Sequence, residues 1–220
     1  EKVVVNPHRQ PFFVNGVKAF LRPFFRHTLQ GTENIIEDVN NPLVFLCNHG
    51  ELYGPVVAML NIPVPVRPWT ISEISVDKDE MAAYVYKYTI KRQRWLPECL
   101  KMPIAKMLGP ISVWAMGCLE SIPVFRNKPR NLINTFRMSV EAMQAGDNLL
   151  IFPEGTRSKG GVMHPMQAGS MQPAFMAKAC IVPIVLKNSY DYMDVMKHKG
   201  TFHIHILKPL YYEDYKPVSY

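Results

Sequence analysis

The sequence lacks the cysteine pairs that a disulfide framework or a structural zinc site requires. No Cys-x-x-Cys pair occurs in its 220 residues, and the four cysteines stand far apart, at Cys47, Cys99, Cys118 and Cys180. Cysteines with this spacing are typical of buried free thiols in a reducing compartment. We therefore expect no disulfide and no metal site.

The sequence also lacks an apolar run long enough to cross a bilayer. Its longest charge-free apolar stretch, 107–119, contains Gly109 and Pro110 and is shorter than the roughly 20 residues that a spanning helix needs. No signal peptide is recognisable after Glu1, and we expect the chain to be trimmed or cut from a longer protein. We expect nothing in it to span a membrane.

Internal repeats and low-complexity linkers are missing too, because the 19 prolines and 12 glycines are scattered along the chain. The apolar content of 48% excludes disorder. Acidic residues are outnumbered 18 to 25 by Lys and Arg, which gives a net charge of +7. This balance indicates an anionic partner: a phospholipid surface, a phosphorylated metabolite, an acidic carrier protein or nucleic acid.

The first 40 residues form a candidate amphipathic segment ahead of the main domain, which we place at 41–220. Apolar residues at helical spacing alternate with a basic face: Phe13, Val17, Phe20 and Phe24 against Lys18, Arg22 and Arg26. Gly16 and Pro23 predict two short helical pieces rather than one. The pattern fits a helix lying in a membrane interface or a helix docked on the core.

Strand-like and helix-like segments alternate after residue 40. We predict strands at 43–47, 64–71, 122–125, 149–152, 181–186 and 201–207, and helices from about 55 and at about 79–92, 103–117, 132–143 and 170–179. This order predicts a single α/β domain with a mostly parallel or mixed central sheet flanked by helices. Pro183 places its strand at an edge or a bulge.

Two of these strands end in residues that can carry chemistry. The strand 149–152 leads into the segment Phe152–Ser158, in which Gly155 permits close approach of a ligand and Arg157 offers a planar fork for phosphate. The strand 43–47 ends in Asn48 and His49. A histidine at a strand end can act as a general base, since ligands of open α/β sheets bind at that edge.

A third strand end carries positive charge. Arg126 follows the run 122–125 and begins a basic cluster with Lys128 and Arg130. Its guanidinium can hold a phosphate with two hydrogen bonds, and the alternative is a solvated basic turn.

Together, the blocks at 48–49, 122–126, 152–158 and 181–184 resemble the glycerolipid acyltransferase family, of the glycerol-3-phosphate and lysophosphatidate acyltransferase type. The resemblance covers roughly residues 40–190. It implies that the protein transfers a fatty acyl chain from acyl-CoA or acyl-carrier protein, as co-substrate and without a cofactor, to a hydroxyl of lysophosphatidate or a related glycerol-phosphate. By this resemblance His49 is the base, and the substrate-binding residues are Arg126, Glu154, Gly155, Thr156 and Arg157.

One residue of the family pattern is missing. The fifth position after the family's histidine is an aspartate that orients the ring, but here it is Gly54. Glu51 is the only carboxylate nearby and is our candidate replacement in the catalytic pair, with Glu73 as a second candidate. The family's later lysine is also replaced, by Gln167. The alternative to an active enzyme is a catalytically impaired relative that binds lysophospholipid or acyl-carrier protein.

Two further patterns have plainer interpretations. Basic and aromatic residues mix over 84–95, which fits nucleic acid, but a membrane-facing or carrier-facing surface explains them without a second function. His203 and His205 alternate on a strand, which favours a half-exposed strand face over a metal site. We thus expect a peripheral protein on the cytoplasmic face of a membrane, with no nucleic-acid partner.

Overall fold

A computed structural model of the chain describes residues 12–35, 42–50, 53–75, 77–88, 90–92, 96–125, 129–156, 162–187 and 200–216. The chain divides into two compact units. The first unit comprises residues 1–67 and 136–220, and the second comprises residues 68–135.

The described elements alternate between strands and helices. The strands are β1 (His27–Gln30), β2 (Leu43–Cys47), β3 (Arg67–Ile71), β4 (Ile122–Val124), β5 (Leu149–Ile151), β6 (Cys180–Lys187) and β7 (Phe202–Ile206). The helices are α1 (Phe12–Leu21), α2 (Tyr53–Asn61), α3 (Ser72–Ser75), α4 (Lys78–Tyr88), α5 (Glu98–Cys118), α6 (Pro129–Gln144), α7 (Gln172–Ala177) and α8 (Tyr212–Tyr215).

The sheet of the first unit has the strand order β1-β7-β6-β2-β5. Parallel pairs join β1 to β7, β6 to β2 and β2 to β5, whereas β6 and β7 are antiparallel. The predicted α/β fold with a mixed sheet flanked by helices is therefore confirmed.

The centre of this sheet is apolar along its whole length. Every residue of β2 and β5 is buried, as expected for parallel strands that are covered on both faces. Val57, Ala58 and Leu60 of α2 join the same apolar cluster as Phe45 and Val182. The continuous apolar runs in the sequence are therefore the core strands, and their ends fall at one edge of the sheet.

The prediction that Pro183 marks an edge strand or a bulge was wrong, because β6 lies between β2 and β7. Pro183 is the register partner of Leu46 in the parallel ladder, while antiparallel pairing with β7 begins at Ile184. The Pro183 carbonyl accepts the Leu207 N–H at 2.9 Å. In a strand, the N–H and C=O of one residue point to the same side. The missing N–H of Pro183 therefore lies on the side of β7, beyond the residues that pair with β6, so no hydrogen bond of the ladder is lost.

The amphipathic pattern near the N-terminus forms a helix and a turn rather than one continuous helix. Helix α1 ends at Leu21 and is followed by a 3-10 turn, Arg22–Phe24, so the two predicted pieces are confirmed. Residues 27–30, which follow the amphipathic pattern, form strand β1 and pair with β7 at the edge of the sheet. The domain boundary at residue 40 stays a prediction.

The second unit contains β3, β4 and the helices α3 to α5, with β3 and β4 paired in parallel. Helices α4 and α5 pack closely because Gly109 has no side chain: a Cβ there would meet the Lys78 carbonyl oxygen at 2.6 Å. Helix α5 begins before the predicted start and continues through Pro103 and Pro110. Within the described residues, no helix is long and apolar enough to cross a membrane.

The cysteines and the strand histidines follow the sequence expectations in most respects. All four cysteines are free thiols, with Cys47 and Cys180 buried, whereas Cys99 is exposed. His203 and His205 lie on the same half-exposed face of β7, which confirms that interpretation. His203 Nδ1 lies 2.8 Å from the Thr28 hydroxyl on β1.

Candidate functional site

The ends of β2 and β5 bring two of the predicted motifs together. These strands are parallel neighbours, with Val44 opposite Leu149 and Leu46 opposite Ile151. The chain leaves both strands at the same edge of the sheet, so His49 and the segment 152–156 emerge side by side. This edge is where ligands bind in open α/β sheets.

The Glu154 carboxylate joins three segments at this edge. It is 1% exposed, and one oxygen accepts the backbone N–H of His49 at 2.7 Å. The other oxygen accepts the backbone N–H of His164 at 2.9 Å. A buried carboxylate is costly unless donors satisfy it, and bonds to an ionised acceptor are the stronger class. Glu154 therefore fixes the backbone on which the candidate base stands.

Asn48 holds the same backbone from the other side. Its side-chain amide donates to the Leu186 carbonyl at 3.0 Å and accepts the Leu186 N–H at 2.7 Å. The side chain thus pairs with β6 as a peptide group would, one residue past the end of β2. Sequence reasoning gave Asn48 no role, although an amide beside a candidate base at a strand end is a usable signal.

His49 is half-buried, and its ring lies against Phe152. The two ring centroids are 5.3 Å apart in an edge-to-face arrangement, a favourable geometry for aromatic pairs. Glu154 therefore bonds to the backbone of His49 while Phe152 contacts its ring, and both residues belong to the segment that follows β5.

The turn after β5 requires glycine at position 155. Gly155 has φ of +63°, a left-handed conformation that other residues adopt at a cost. Its N–H donates to the Phe152 carbonyl at 3.1 Å, and the Gln167 N–H donates to the Pro153 carbonyl at 2.8 Å. The segment 152–156 is thereby bonded to the segment that contains His164 and Gln167. Thr156, at the end of this turn, is exposed.

Gly54, the position at which the family resemblance implies an aspartate, is tightly packed. A Cβ built there would lie 2.1 Å from the carbonyl oxygen and 2.9 Å from the carbonyl carbon of His49. The Gly54 N–H donates to the Gly50 carbonyl at 2.9 Å. With this backbone no side chain fits at position 54, so the observed chain path depends on a glycine there.

Cys47 lies two residues before His49 and is buried. Burial, and then the charge of Glu154, raise the pKa of the Cys47 thiol far above its usual range. The thiol donates to the Asn48 carbonyl oxygen at 3.5 Å. Because thiolate is the nucleophilic form, this protonated thiol is unsuited to form a covalent intermediate.

Three predicted site residues, Glu51, Arg126 and Arg157, lie outside the described residues, and their roles stay predictions. Glu73, the second candidate for the missing carboxylate, lies in α3 and accepts a hydrogen bond from the Ser72 hydroxyl at 3.1 Å. Sequence reasoning also missed His164, which contributes a backbone N–H and therefore leaves no side-chain signal. Within the described residues, no group of three or more His, Cys, Asp or Glu could hold a metal ion.

Comparison with known proteins defines the class. The sequence matches the family model described as Acyltransferase over residues 26–187, which is 162 of the 220 residues. The chain belongs to this acyltransferase family. The chloroplastic 1-acyl-sn-glycerol-3-phosphate acyltransferase LPAT1 of Arabidopsis thaliana is 30% identical over 218 residues, covering 95% of this chain and 51% of the relative.

Two further proteins are similar to this chain. The chloroplastic 1-acyl-sn-glycerol-3-phosphate acyltransferase BAT2 of Brassica napus is 24% identical over 194 residues, covering 86% of this chain and 46% of that protein. The chain thus spans about half the length of these two curated relatives. The crystal structure of the 1-acyl-sn-glycerophosphate acyltransferase PlsC from Thermotoga maritima has a TM-score of 0.64 at 16% identity, covering 94% of this chain and 73% of that one. This likeness shows a shared fold.

The packing at Gly54 predicts that alanine destabilises the protein there. Helix propensity alone favours alanine over glycine, but overpacking against the His49 carbonyl should lower the free energy of unfolding by about 1–3 kcal/mol. Gly54→Asp should lose stability in the same way and should not raise acyl transfer. Denaturant unfolding of both variants measures this.

Gly117 in α5 supplies the matched control, since a Cβ there meets nothing within 4 Å. Gly117→Ala should be neutral or stabilising by roughly 0.5–1 kcal/mol. Equal stability of Gly54→Ala and Gly117→Ala would contradict the packing argument.

The two bonds to Glu154 predict a combined effect on stability and activity. In Glu154→Gln the amide nitrogen would face a backbone N–H, so one donor loses its acceptor. This loss should lower the free energy of unfolding by about 1–3 kcal/mol. Acyl transfer should fall about tenfold or more, because the backbone of His49 is less well fixed. Glu141→Gln, at an exposed carboxylate on α6, should change neither. A lower acceptor affinity with unchanged stability would instead support substrate binding by Glu154.

Proposed function

We propose that this chain transfers a fatty acyl group from the thioester of acyl-CoA or acyl-carrier protein to a hydroxyl of lysophosphatidate or a related glycerol-phosphate. Membership of the acyltransferase family and the names of the similar proteins support the reaction and the acceptor. The observation that carries the proposal for this chain is the bond from the His49 N–H to the buried Glu154 carboxylate. That bond presents a histidine at the ligand-binding edge of the sheet.

His49 acts in this proposal as the general base. Its ring takes the proton of the acceptor hydroxyl as the hydroxyl oxygen bonds to the thioester carbonyl carbon. The carbon–sulfur bond then breaks, and the same proton passes to the departing thiolate sulfur. The products are an oxygen ester and a free thiol. The raised pKa of the Cys47 thiol supports direct attack without an acyl-enzyme intermediate.

The residues around His49 divide between positioning and binding. Arg126, Gly155, Thr156 and Arg157 keep the phosphate-binding role that the family resemblance implies. We assign Glu154 to positioning, because both of its oxygens already accept backbone N–H groups. Glu51 remains our candidate for the carboxylate that orients the His49 ring.

We further propose that the protein acts at a membrane surface, where its lipid acceptor resides. Helix α1 and the turn after it bury Val14 but expose Val17, Phe20 and Phe24, which suits contact with a lipid interface. Arg22 anchors this segment by donating to the Leu60 carbonyl at 2.8 Å. A position on the cytoplasmic face and the absence of a nucleic-acid partner stay predictions.

The first prediction for this function concerns His49. His49→Ala should lower transfer from labelled oleoyl-CoA to lysophosphatidate by about 10²–10⁴-fold, the range for general-base catalysis, without loss of fold. His205→Ala, at a half-exposed strand position, should keep full activity. Full activity in a folded His49→Ala variant would refute the role.

The same assay tests Glu51. Loss of transfer in Glu51→Gln would identify the relocated carboxylate, and retained transfer would leave Glu73 or an unassisted histidine. Absence of transfer by the unaltered protein from either donor would favour the impaired, lipid-binding or carrier-binding relative.

The second prediction concerns Arg126. If its guanidinium binds the acceptor phosphate, Arg126→Ala should raise the acceptor KM by about tenfold or more, since a charge-assisted pair is lost. The donor KM should stay constant. Arg137→Ala, at an exposed arginine of α6, is the matched control. An effect confined to the donor KM would contradict the assignment.

A further inference from the structure

Helix α5 exposes a row of apolar side chains along its whole length. The exposed positions recur at helical spacing, at Leu100, Pro103, Met107, Pro110, Ile111 and Trp114. Trp114 is 60% exposed and Ile111 is 52% exposed. From Leu100 to Trp114 the row extends about 21 Å at the α-helical rise. An apolar surface of this length on a helix marks an interaction site.

The exposed row is not a general property of the second unit. The opposite side of α5 is packed against α4, where Ala105 joins a buried cluster with Met81 and Val85. Helix α4 itself begins with exposed charged residues, Lys78, Asp79 and Glu80. Helix α5 has only two exposed charged residues, Glu98 and Lys106, so its exposed face is distinct from its neighbour.

Positive charge adjoins this face. The sequence 89–97, which links α4 to α5, contains Lys91, Arg92 and Arg94 and no acidic residue. Buried Lys101 donates to the Lys91 carbonyl oxygen at 3.4 Å, so the backbone of Lys91 lies against the first turn of α5, and the Lys91 side chain is exposed. An apolar row flanked by basic residues complements an anionic lipid surface.

We propose that the exposed face of α5 is a membrane-contact surface that lies in the head-group region of an anionic bilayer, in addition to α1. Trp114 suits this depth because an indole combines an apolar body with a polar N–H. The choice of lipid as partner rests on the proposed function, whereas the surface itself rests on exposure and charge.

The two prolines set the depth of contact. Pro103 and Pro110 supply no N–H to the carbonyls of Cys99 and Lys106, four residues earlier in the helix. In hydrocarbon an unsatisfied carbonyl is costly, but head groups and water at the interface can donate to it. The helix therefore lies along the surface and does not enter the bilayer core.

Vesicle binding by the full chain tests the proposal. We expect binding to phosphatidylcholine vesicles that contain phosphatidylglycerol, and weaker binding to phosphatidylcholine alone. Ile111→Asp should weaken binding about tenfold or more, since one buried apolar side chain is lost from the contact. Ile133→Asp introduces the same side chain and charge at an exposed isoleucine of α6, and it should weaken vesicle binding much less.

Trp114 reports insertion directly. In a variant that keeps Trp114 and replaces the other tryptophans, Trp69→Phe and Trp95→Phe, emission should shift to shorter wavelength and be quenched by brominated lipids. No quenching, or equal binding by folded Ile111→Asp and Ile133→Asp, would overturn the proposal.

The same variants distinguish two other possible partners of this face, a second copy of the chain and acyl-carrier protein. A change of molecular mass in Ile111→Asp with unchanged vesicle binding would identify a second copy as the partner. Loss of binding to acyl-carrier protein with unchanged vesicle binding would identify the carrier. Either result overturns the lipid assignment. Acyl transfer in detergent micelles, which does not need the vesicle surface, tests the proposed function separately.

Discussion

A buried carboxylate at one end of the sheet is the constraint on which the candidate site depends. Glu154 is nearly inaccessible to solvent, and its two oxygens take backbone N–H groups from the segments that contain His49 and His164. Removing either segment would leave one buried oxygen of Glu154 without its hydrogen bond. The acid, the turn at Gly155 and the backbone of the candidate base therefore form one cooperative arrangement.

The sheet sets where this arrangement can form. Strand β2 lies between β5 and β6, so the chain leaving β2 is held on both sides: by Glu154 after β5 and by the Asn48 amide against β6. Both contacts act on the main chain, whereas the ring of His49 lies against Phe152. The position of the candidate base and the orientation of its ring are thus set by different contacts.

The sequence predicted the parts of the fold that depend on apolar patterning. Strand β2 has the predicted bounds because five consecutive apolar residues suit a parallel strand that is covered on both faces. Strand β1 was missed, because His27–Gln30 is mostly polar and takes its pairing from β7. The place of β6 was wrong because a proline excludes a central strand only when its missing N–H faces a ladder partner, which depends on tertiary structure.

The site was predictable to the level of residue type. A carboxylate after a strand indicates charge at the rim of the sheet, but it does not reveal whether the side chain turns outward or inward. The partners of Glu154 are backbone N–H groups, which every residue except proline provides, so no sequence pattern identifies them. The contacts of Asn48 with Leu186 were hidden for the same reason.

The close packing at Gly54 limits how this site can change by substitution. An aspartate at position 54 would require the backbone of His49 or Gly54 to move at the same time, because the His49 carbonyl occupies the space of a side chain. A single substitution of Gly54 by a residue with a side chain therefore gives a less stable protein. A carboxylate that orients the His49 ring would therefore have to come from another position, so the glycine limits which residues can complete the catalytic pair.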